Sequence, residues 1–251
     1  MTIDHFARMI SYFHPNLLSS SLLLAFQIIG RISFPIFAFL VVEAMIHTRN
    51  RPKYLLRLLF LALLCDLSFY LAANEYWGNP ITTLFLGALF IYLFENKKWY
   101  IKCLSILPII YVILMSLEII PLKSMYDLYG FILIILFYSS QFLAKLFCNV
   151  YHKIYQIDQD AFYEKYSFIT RIIITILLII IFNILIWMIN PIYHEKNIFI
   201  DDPTLQLYSL LAIPFLLIYN GKKGYNKVWV KYLFYLYFPL HLIVLYLFMI
   251  I

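Results

Sequence analysis

The sequence has few charged residues. Only 13% of its 251 residues are Asp, Glu, Lys or Arg, whereas 64% are hydrophobic. Soluble domains carry about 25% charged and about 45–50% apolar residues, so this composition excludes a soluble globular domain. The mean hydropathy of +0.87 agrees with that exclusion. We therefore predict an integral membrane protein.

Cysteine and long polar segments are also scarce. The three cysteines are odd in number and far apart in the chain, which argues against a disulfide framework. No polar stretch is long enough for a soluble domain, and no basic region precedes the first apolar run, so we expect no cleavable signal peptide. The sequence predicts one integral membrane domain over residues 1–251, with no metal cofactor.

The apolar runs are long and continuous. In residues 171–189, for example, apolar residues do not alternate with polar ones as they would in a membrane β-barrel. A span needs about 20 mostly apolar residues. The predicted fold is therefore an all-α polytopic transmembrane bundle of about eight to nine spans, with a short N-terminal helix or half-span over residues 1–14. The long runs lie at 20–46, 54–73, 80–96, 100–120, 127–148, 168–190, 204–219 and 229–250.

Loops that are rich in Lys and Arg alternate along the chain with loops that have few of these residues. Loops rich in these residues face the cytoplasm in multi-span proteins. The pattern predicts a multi-pass protein of the bacterial cytoplasmic membrane with an external C-terminus. The net charge of +6 lies mostly in these short loops, so we expect lipid rather than nucleic acid as the partner. The sequence gives no indication of the oligomeric state.

Five ionisable residues fall inside the apolar runs at a similar predicted depth. They are Asp4, His5, Arg31, Asp66 and His241. An arginine at the centre of a membrane helix costs roughly 2.5–3.5 kcal/mol on insertion scales, and such groups usually pair or line a cavity. Histidine often serves as a general base, so we predict a catalytic layer. Two alternatives stay open: an Arg–Asp pair that only fixes packing, and either aspartate as the partner of His5.

A second polar cluster, the basic rim, lies at the predicted cytoplasmic ends of the helices. Its basic members are His47, Arg49, Arg51, Lys53, Arg57, Lys222 and Lys223. The ordinary interpretation is the positive-inside bias with contacts to lipid head groups. The functional interpretation is a site for a phosphate-bearing substrate, since arginine and lysine suit phosphates. Glu43 lies one turn before His47 and predicts an i, i+4 pair. Tyr129 and Asn183 are isolated polar residues to which we assign no role.

Three stretches carry a family resemblance. The chain resembles the TraX family in "GRISFPIFAFLVVEAMIHTRNRPKYLLRLL" (30–59), "YNGKKG" (219–224) and "FPLHL" (238–242). The resemblance extends over essentially the whole chain. The resemblance implies a membrane acetyltransferase, related to acyltransferases built as helical bundles with a central tunnel. It implies that Asp4 and His5 match the family's Asp-His and that Arg31 matches its buried arginine. It also matches the following residues to family motifs: His47, Arg49, Arg51, Tyr219, Asn220, Lys222 and His241.

The pattern and the resemblance together give a functional expectation. Acetyl-CoA would bind with its phosphates on the rim, including Tyr219 and Asn220, and an acceptor peptide, glycan or lipid would receive the acetyl group. His5 or His241 would take a proton from the acceptor's amine or hydroxyl, and Arg31 would stabilise the oxyanion or hold a carboxylate. Two other hypotheses remain from the residues alone. One is a small transporter or flippase, and the other is a non-catalytic assembly factor for a surface fibre or exported peptide.

Overall fold

The computed structural model describes residues 2–73, 78–120, 124–155, 159–189, 202–222, 224 and 227–250. All regular secondary structure in these residues is helical, which confirms the predicted all-α class. The α-helices are α1 (Thr2–Phe13), α2 (Ser20–Arg31), α3 (Ser33–His47), α4 (Arg51–Ala73), α5 (Pro80–Phe94), α6 (Trp99–Cys103), α7 (Ile106–Ser116), α8 (Asp127–Tyr155), α9 (Gln159–Ile189), α10 (Pro203–Gln206), α11 (Ile213–Ile218) and α12 (Val228–Ile250). A 3₁₀-helix, Leu207–Ala212, joins α10 to α11.

The number of membrane-crossing helices differs from the prediction. In the part of the chain that the structure describes, five helical segments are long and apolar enough to cross a membrane: Ser20–His47, Trp99–Ser116, Asp127–Tyr155, Tyr166–Ile189 and Tyr232–Met249. The predicted count of eight to nine spans is not supported. Helix α4 is not among the five, and α5 and the Pro203–Ile218 segment are shorter apolar helices. The 15 residues of α5 reach only about 22 Å, against a hydrocarbon thickness of about 30 Å.

The predicted span 20–46 is broken at Ile32, between α2 and α3. Pro35 lies in the first turn of α3 and has no N–H to donate to the carbonyl of Arg31, four residues earlier. Arg31 is therefore the last residue of α2 and sits at the interruption. Sequence hydropathy did not indicate this break, because the residues on both sides of Ile32 are mostly apolar.

Helix α3 has a central place in the bundle. It packs against α2, α5, α8 and the 3₁₀-helix, while α1 packs against α2 and α12, and α4 packs against α5 and α12. Large buried side chains such as Phe34 of α3 and Phe131 of α8 form the core between these helices. This arrangement brings the N-terminal helix and the last helix together on one side of α3.

Candidate functional site

Two histidines from opposite ends of the chain meet inside the bundle. Nδ1 of His5 lies 2.8 Å from Nε2 of His241, and the residues are only 4% and 8% exposed. Nδ1 of His241 lies 2.8 Å from the carbonyl oxygen of Tyr237. The ring of Phe238 meets both imidazoles edge-on. Helices α1 and α12 therefore place the two histidines in direct contact.

The hydrogen bonds assign the ring protons. The Tyr237 carbonyl can only accept, so Nδ1 of His241 carries a proton. Burial disfavours the charged form, and in neutral His241 the other nitrogen, Nε2, must accept from Nδ1–H of His5. In neutral His5 the lone pair then lies on Nε2. In the neutral pair, Nε2 is therefore the unprotonated ring nitrogen of His5.

Asp4 is buried against the end of α2. Its Oδ2 accepts from Nε of Arg8, one turn later on α1, at 3.3 Å. A Cβ atom on Gly30 would lie 2.3 Å from Cβ of Asp4, so only glycine permits this approach of α1 to α2. Oδ1 of Asp4 is buried without a hydrogen-bond partner. The structure therefore places Asp4 beside the residue that precedes Arg31.

Arg31 is buried, at 7% exposure. Its guanidinium carbon lies 5.9 Å from the centroid of the Tyr126 ring, a cation–π distance. Nε of Arg31 has no hydrogen-bond partner. Among the described residues, the ion pairs involve other cations, so the hypothesis of an Arg31–aspartate packing pair finds no direct contact. Arg31 instead lies within cation–π distance of the Tyr126 ring.

Asp66 belongs to a different cluster from the histidine pair. Its Oδ1 accepts from Nδ2 of Asn79 at 2.6 Å. Oδ1 of Asn79 caps α5 by accepting from the backbone amides of Ile81 and Thr82. The structure thus brings Asp4, His5 and His241 close to the Arg31 region, while Asp66 ties α4 to the beginning of α5.

A central cavity of about 280 Å³ lies beside this region and along α3 from Ser33 to Val41. Asp4, His5, Tyr54 and Tyr235 contribute polar groups to its wall. The remaining wall is mostly apolar, with Phe34, Phe37, Leu40, Val41, Leu58, Leu61, Ile81, Leu84, Phe234 and Phe238 among its residues. From Ser33 to Val41 the cavity follows α3 for about 12 Å. It is therefore elongated along the bundle rather than a closed pocket around the histidines.

The basic rim reaches this cavity through Arg57. Its guanidinium carbon lies 5.9 Å from the centroid of the Tyr235 ring, and its Nε donates to the carbonyl of Lys53. Arg51 is engaged elsewhere, in an ion pair with Glu95. Arg49 and Lys53 are exposed. Arg57 therefore contacts a residue of the cavity wall, Tyr235, from the basic rim.

His47 of the rim lies beside Glu43, which is 5% exposed. Its carboxylate accepts from Arg171, from the hydroxyl of Tyr219 at 2.8 Å, and lies 3.6 Å from Nε2 of His47. Burial and the hydrogen bond to Glu43 raise the pKa of Tyr219 to about 12, so its hydroxyl stays a neutral donor at physiological pH. The predicted Glu43–His47 pair is present, as part of a larger cluster.

The loop after Tyr219 carries the other predicted rim residues. Oδ1 of Asn220 accepts from the backbone amide of Lys222 at 3.0 Å, and both side chains are exposed. Lys223 lies outside the described residues. The loop therefore presents Lys222 at the surface beside the Glu43 cluster.

Comparison with known proteins gives the family. The model for "TraX protein" matches residues 1–249. This chain belongs to the TraX family. The resemblance drawn from the sequence motifs is thus confirmed.

One curated relative adds a functional name. The TraX-family chain is 27% identical over 228 residues to "Probable fimbrial assembly protein FimC, serogroup H1" of Dichelobacter nodosus. The match covers 87% of this chain and 80% of the relative. No solved structure matches the chain.

Sequence reasoning missed several partners in this TraX-family structure. The contact of Arg8 with Asp4 could have been predicted, because the two residues are spaced i, i+4 on one helix. The contact of Arg171 with Glu43 could not, because 128 positions of sequence separate them. Tyr129 and Asn183 were interpreted as isolated, and this was wrong. The Tyr129 hydroxyl donates to Oδ1 of Asn183 at 3.2 Å and also meets the hydroxyl of Ser209. A buried polar network therefore links α8, α9 and the 3₁₀-helix.

Proposed function

We propose that this TraX-family chain is a membrane-embedded acetyltransferase. It moves an acetyl group from cytosolic acetyl-CoA to the amine or hydroxyl of an acceptor. The observation that carries the proposal is the central cavity, whose wall contains both His5 of the buried histidine pair and Tyr235, the residue that Arg57 contacts. A purely structural histidine contact would not need an elongated cavity beside it.

The proposed reaction uses His5 as the general base. Nε2 of His5 takes a proton from the acceptor as its nitrogen or oxygen attacks the thioester carbonyl carbon. The carbon–sulfur bond then breaks, the acetyl group stays on the acceptor, and the CoA thiolate leaves and takes up the proton. His241 holds the His5 ring through the bond from Nδ1. A route through an acetyl-histidine intermediate remains an alternative, in which His5 is the nucleophile.

Arg31 supplies positive charge near the reaction. Its guanidinium carbon lies 5.9 Å from the centroid of the Tyr126 ring, and Tyr126 lines the cavity. A cation fixed in a site of low polarity stabilises a developing oxyanion more strongly than it would in water. We therefore assign Arg31 a role in stabilising the tetrahedral oxyanion, with Asp4 holding α1 in place.

The orientation follows from the position of the rim. With the basic rim in the cytosol, as the positive-inside rule favours, acetyl-CoA reaches the cavity from the cytosolic side. Helix α12 begins shortly after Lys222 of the rim and its 23 residues extend about 34 Å, so we propose that the C-terminus lies outside the cell. We propose the bacterial cytoplasmic membrane as the location. An impermeant thiol reagent on intact cells should label a cysteine added after Ile251 but not Lys222→Cys.

The acceptor proposal uses the relative's name. Because a related protein is named as a fimbrial assembly protein, we propose the N-terminus of a fimbrial-type subunit or exported peptide as the first acceptor to test, ahead of glycans and lipids. The same name also supports a second candidate function, a non-catalytic assembly factor. The two differ in one respect: only the enzyme releases CoA.

The test uses purified protein in lipid nanodiscs with labelled acetyl-CoA and peptide acceptors. General base catalysis contributes about 10²–10⁴-fold to a rate, so His5→Ala should lower the rate of acetyl transfer by at least about 10²-fold. His14→Ala is the matched control, because His14 is exposed and its Nε2 meets a backbone carbonyl of α12, that of Met249, rather than a side chain. Absence of CoA release and acceptor labelling by the wild-type protein, with every acceptor class, would reject the enzyme and favour the assembly factor.

A further inference from the structure

A second cavity, the rim cavity, lies against the C-terminal part of α3, whereas the central cavity lies against Ser33 to Val41. Its volume is about 290 Å³, and its wall is formed by Glu43, Ile46, His47, Gln141, Ala144, Ser167, Phe168, Arg171 and Gly221. These residues come from α3, α8, α9 and the loop after Tyr219. The reaction proposed above makes no use of this space.

The charges inside the rim cavity are already matched. Glu43 accepts from Arg171 and from Tyr219, so Arg171 has a carboxylate partner. His47, with a side chain 64% exposed, lies at the mouth. A free phosphate needs cations that are not already paired, and the interior does not offer them. The interior therefore suits a neutral group rather than an anion.

The rim cavity also contains the ring of Phe168, from whose centroid the guanidinium carbon of Arg171 lies 5.9 Å away, and an unmatched donor. Nε2 of Gln141 is buried without a hydrogen-bond partner, and Ser167 adds a hydroxyl to the wall. The ring of Phe168 is held close to Gly221, where a Cβ would lie 2.9 Å from Cε2 of the ring and where φ is +69°. A flat heterocycle with hydrogen-bond acceptors satisfies both features, by stacking on the ring and accepting from the amide.

Cations lie just outside this mouth. Lys222 follows Gly221 directly, and Arg49 lies two residues beyond His47; both are exposed. Exposed lysine and arginine at the mouth suit phosphates linked to the group inside. The combination of a neutral aromatic interior and a cationic mouth matches a nucleotide, with its base buried and its phosphates at the surface.

The position of the rim cavity fits the donor. Ser33 lines the central cavity and Ile46 lines the rim cavity, and the helix between them covers about 20 Å. Gly221 lines the rim cavity, and α12, which begins at Val228, places Phe234 and Tyr235 in the wall of the central cavity. An extended chain of the pantetheine type spans such a distance. We infer that the rim cavity is the adenine subsite for acetyl-CoA, with Phe168 stacking on the base and Gln141 donating to it.

This inference rests on the proposed acetyltransferase function, so the experiment separates the two. The key variant is Gly221→Ala. It puts a residue with a Cβ at a positive φ, which strains the backbone, and the added Cβ displaces the ring of Phe168. Gly224→Ala is the matched control, because a Cβ at Gly224 has no neighbour within 4 Å. A second pair is Gln141→Leu with Ser139→Ala, since Ser139 donates only to the carbonyl of Leu136 on its own helix.

The first measurement compares two acetyl donors. Gly221→Ala and Gln141→Leu should raise KM for acetyl-CoA about tenfold and leave kcat/KM for S-acetyl-N-acetylcysteamine, which has no adenine, unchanged. Gly224→Ala and Ser139→Ala should leave both donors unchanged. Equal losses with both donors would overturn the subsite, because they would indicate general damage, and unchanged KM for acetyl-CoA would overturn it as well.

The second measurement does not need acetyl transfer. Adenosine 3′,5′-bisphosphate should bind the wild-type protein in nanodiscs, measured by calorimetry, and bind about tenfold more weakly to Gly221→Ala. Binding with no transfer to any acceptor would support the nucleotide subsite while rejecting the proposed reaction. Transfer without measurable binding of this nucleotide, and with no effect of Gly221→Ala, would reject the subsite while keeping the reaction.

Discussion

The contact between Gly30 and Asp4 gives the sharpest test of the candidate site. Changing Gly30 to alanine adds a Cβ that would lie 2.3 Å from Cβ and 2.8 Å from Oδ1 of Asp4. Carbon atoms in contact prefer about 3.5–4.0 Å, so α1 must move away from α2 by about 1 Å. Because His5 follows Asp4 on α1, the same movement displaces the histidine pair.

The expected magnitude follows from two opposing terms. Overpacking a tight contact costs about 1–3 kcal/mol, whereas replacing glycine by alanine inside a helix gains at most about 1 kcal/mol. We therefore expect Gly30→Ala to lower the free energy of unfolding by about 1–2 kcal/mol. A misplacement of about 1 Å at a reacting group can reduce the rate about 10²-fold, so acetyl transfer should fall far more than stability.

The assay combines thermal unfolding of the protein in nanodiscs with acetyl transfer, and Gly224→Ala again serves as the control. Unchanged stability and activity in Gly30→Ala would show that α1 does not pack this closely on α2. Reduced stability with full activity would confirm the contact but refute the assignment of His5 as the base.

Two further predictions concern buried networks, with thermal unfolding as the measurement. Asn183→Ala should destabilise by more than Tyr129→Phe, because it removes the acceptor that the Tyr129 and Ser209 hydroxyls share and leaves them only their contact with each other, so that one buried donor is unsatisfied at about 1–3 kcal/mol. Tyr129→Phe leaves Ser209 bonded to Asn183 and should cost about 1 kcal/mol; the reverse order would contradict the network. Arg171→Met should cost about 3–5 kcal/mol, because it leaves the Glu43 carboxylate buried with weaker partners. Adding Glu43→Gln to Arg171→Met should recover part of that loss, and a purely additive further loss would contradict the ion pair.

The structure brings some of the predicted site residues together and separates others, and the reason is physical. Asp4, His5, Arg31 and His241 were singled out because a charged or titratable group is costly in an apolar run, and that cost is visible at each position separately. Asp66 was singled out by the same argument, but it accepts from Asn79 rather than facing the histidines. Counting residues along a helix estimates depth but does not give its rotation about its axis.

Local composition was enough to assign an all-helical membrane protein, because hydropathy and run length act on each segment independently of its neighbours. The motifs were enough to assign the TraX family. The tertiary structure alone decided that His5 contacts His241 across 236 positions of sequence and that Arg171 pairs with Glu43. Such contacts depend on how helices rotate and pack against one another, and no local sequence pattern specifies that packing.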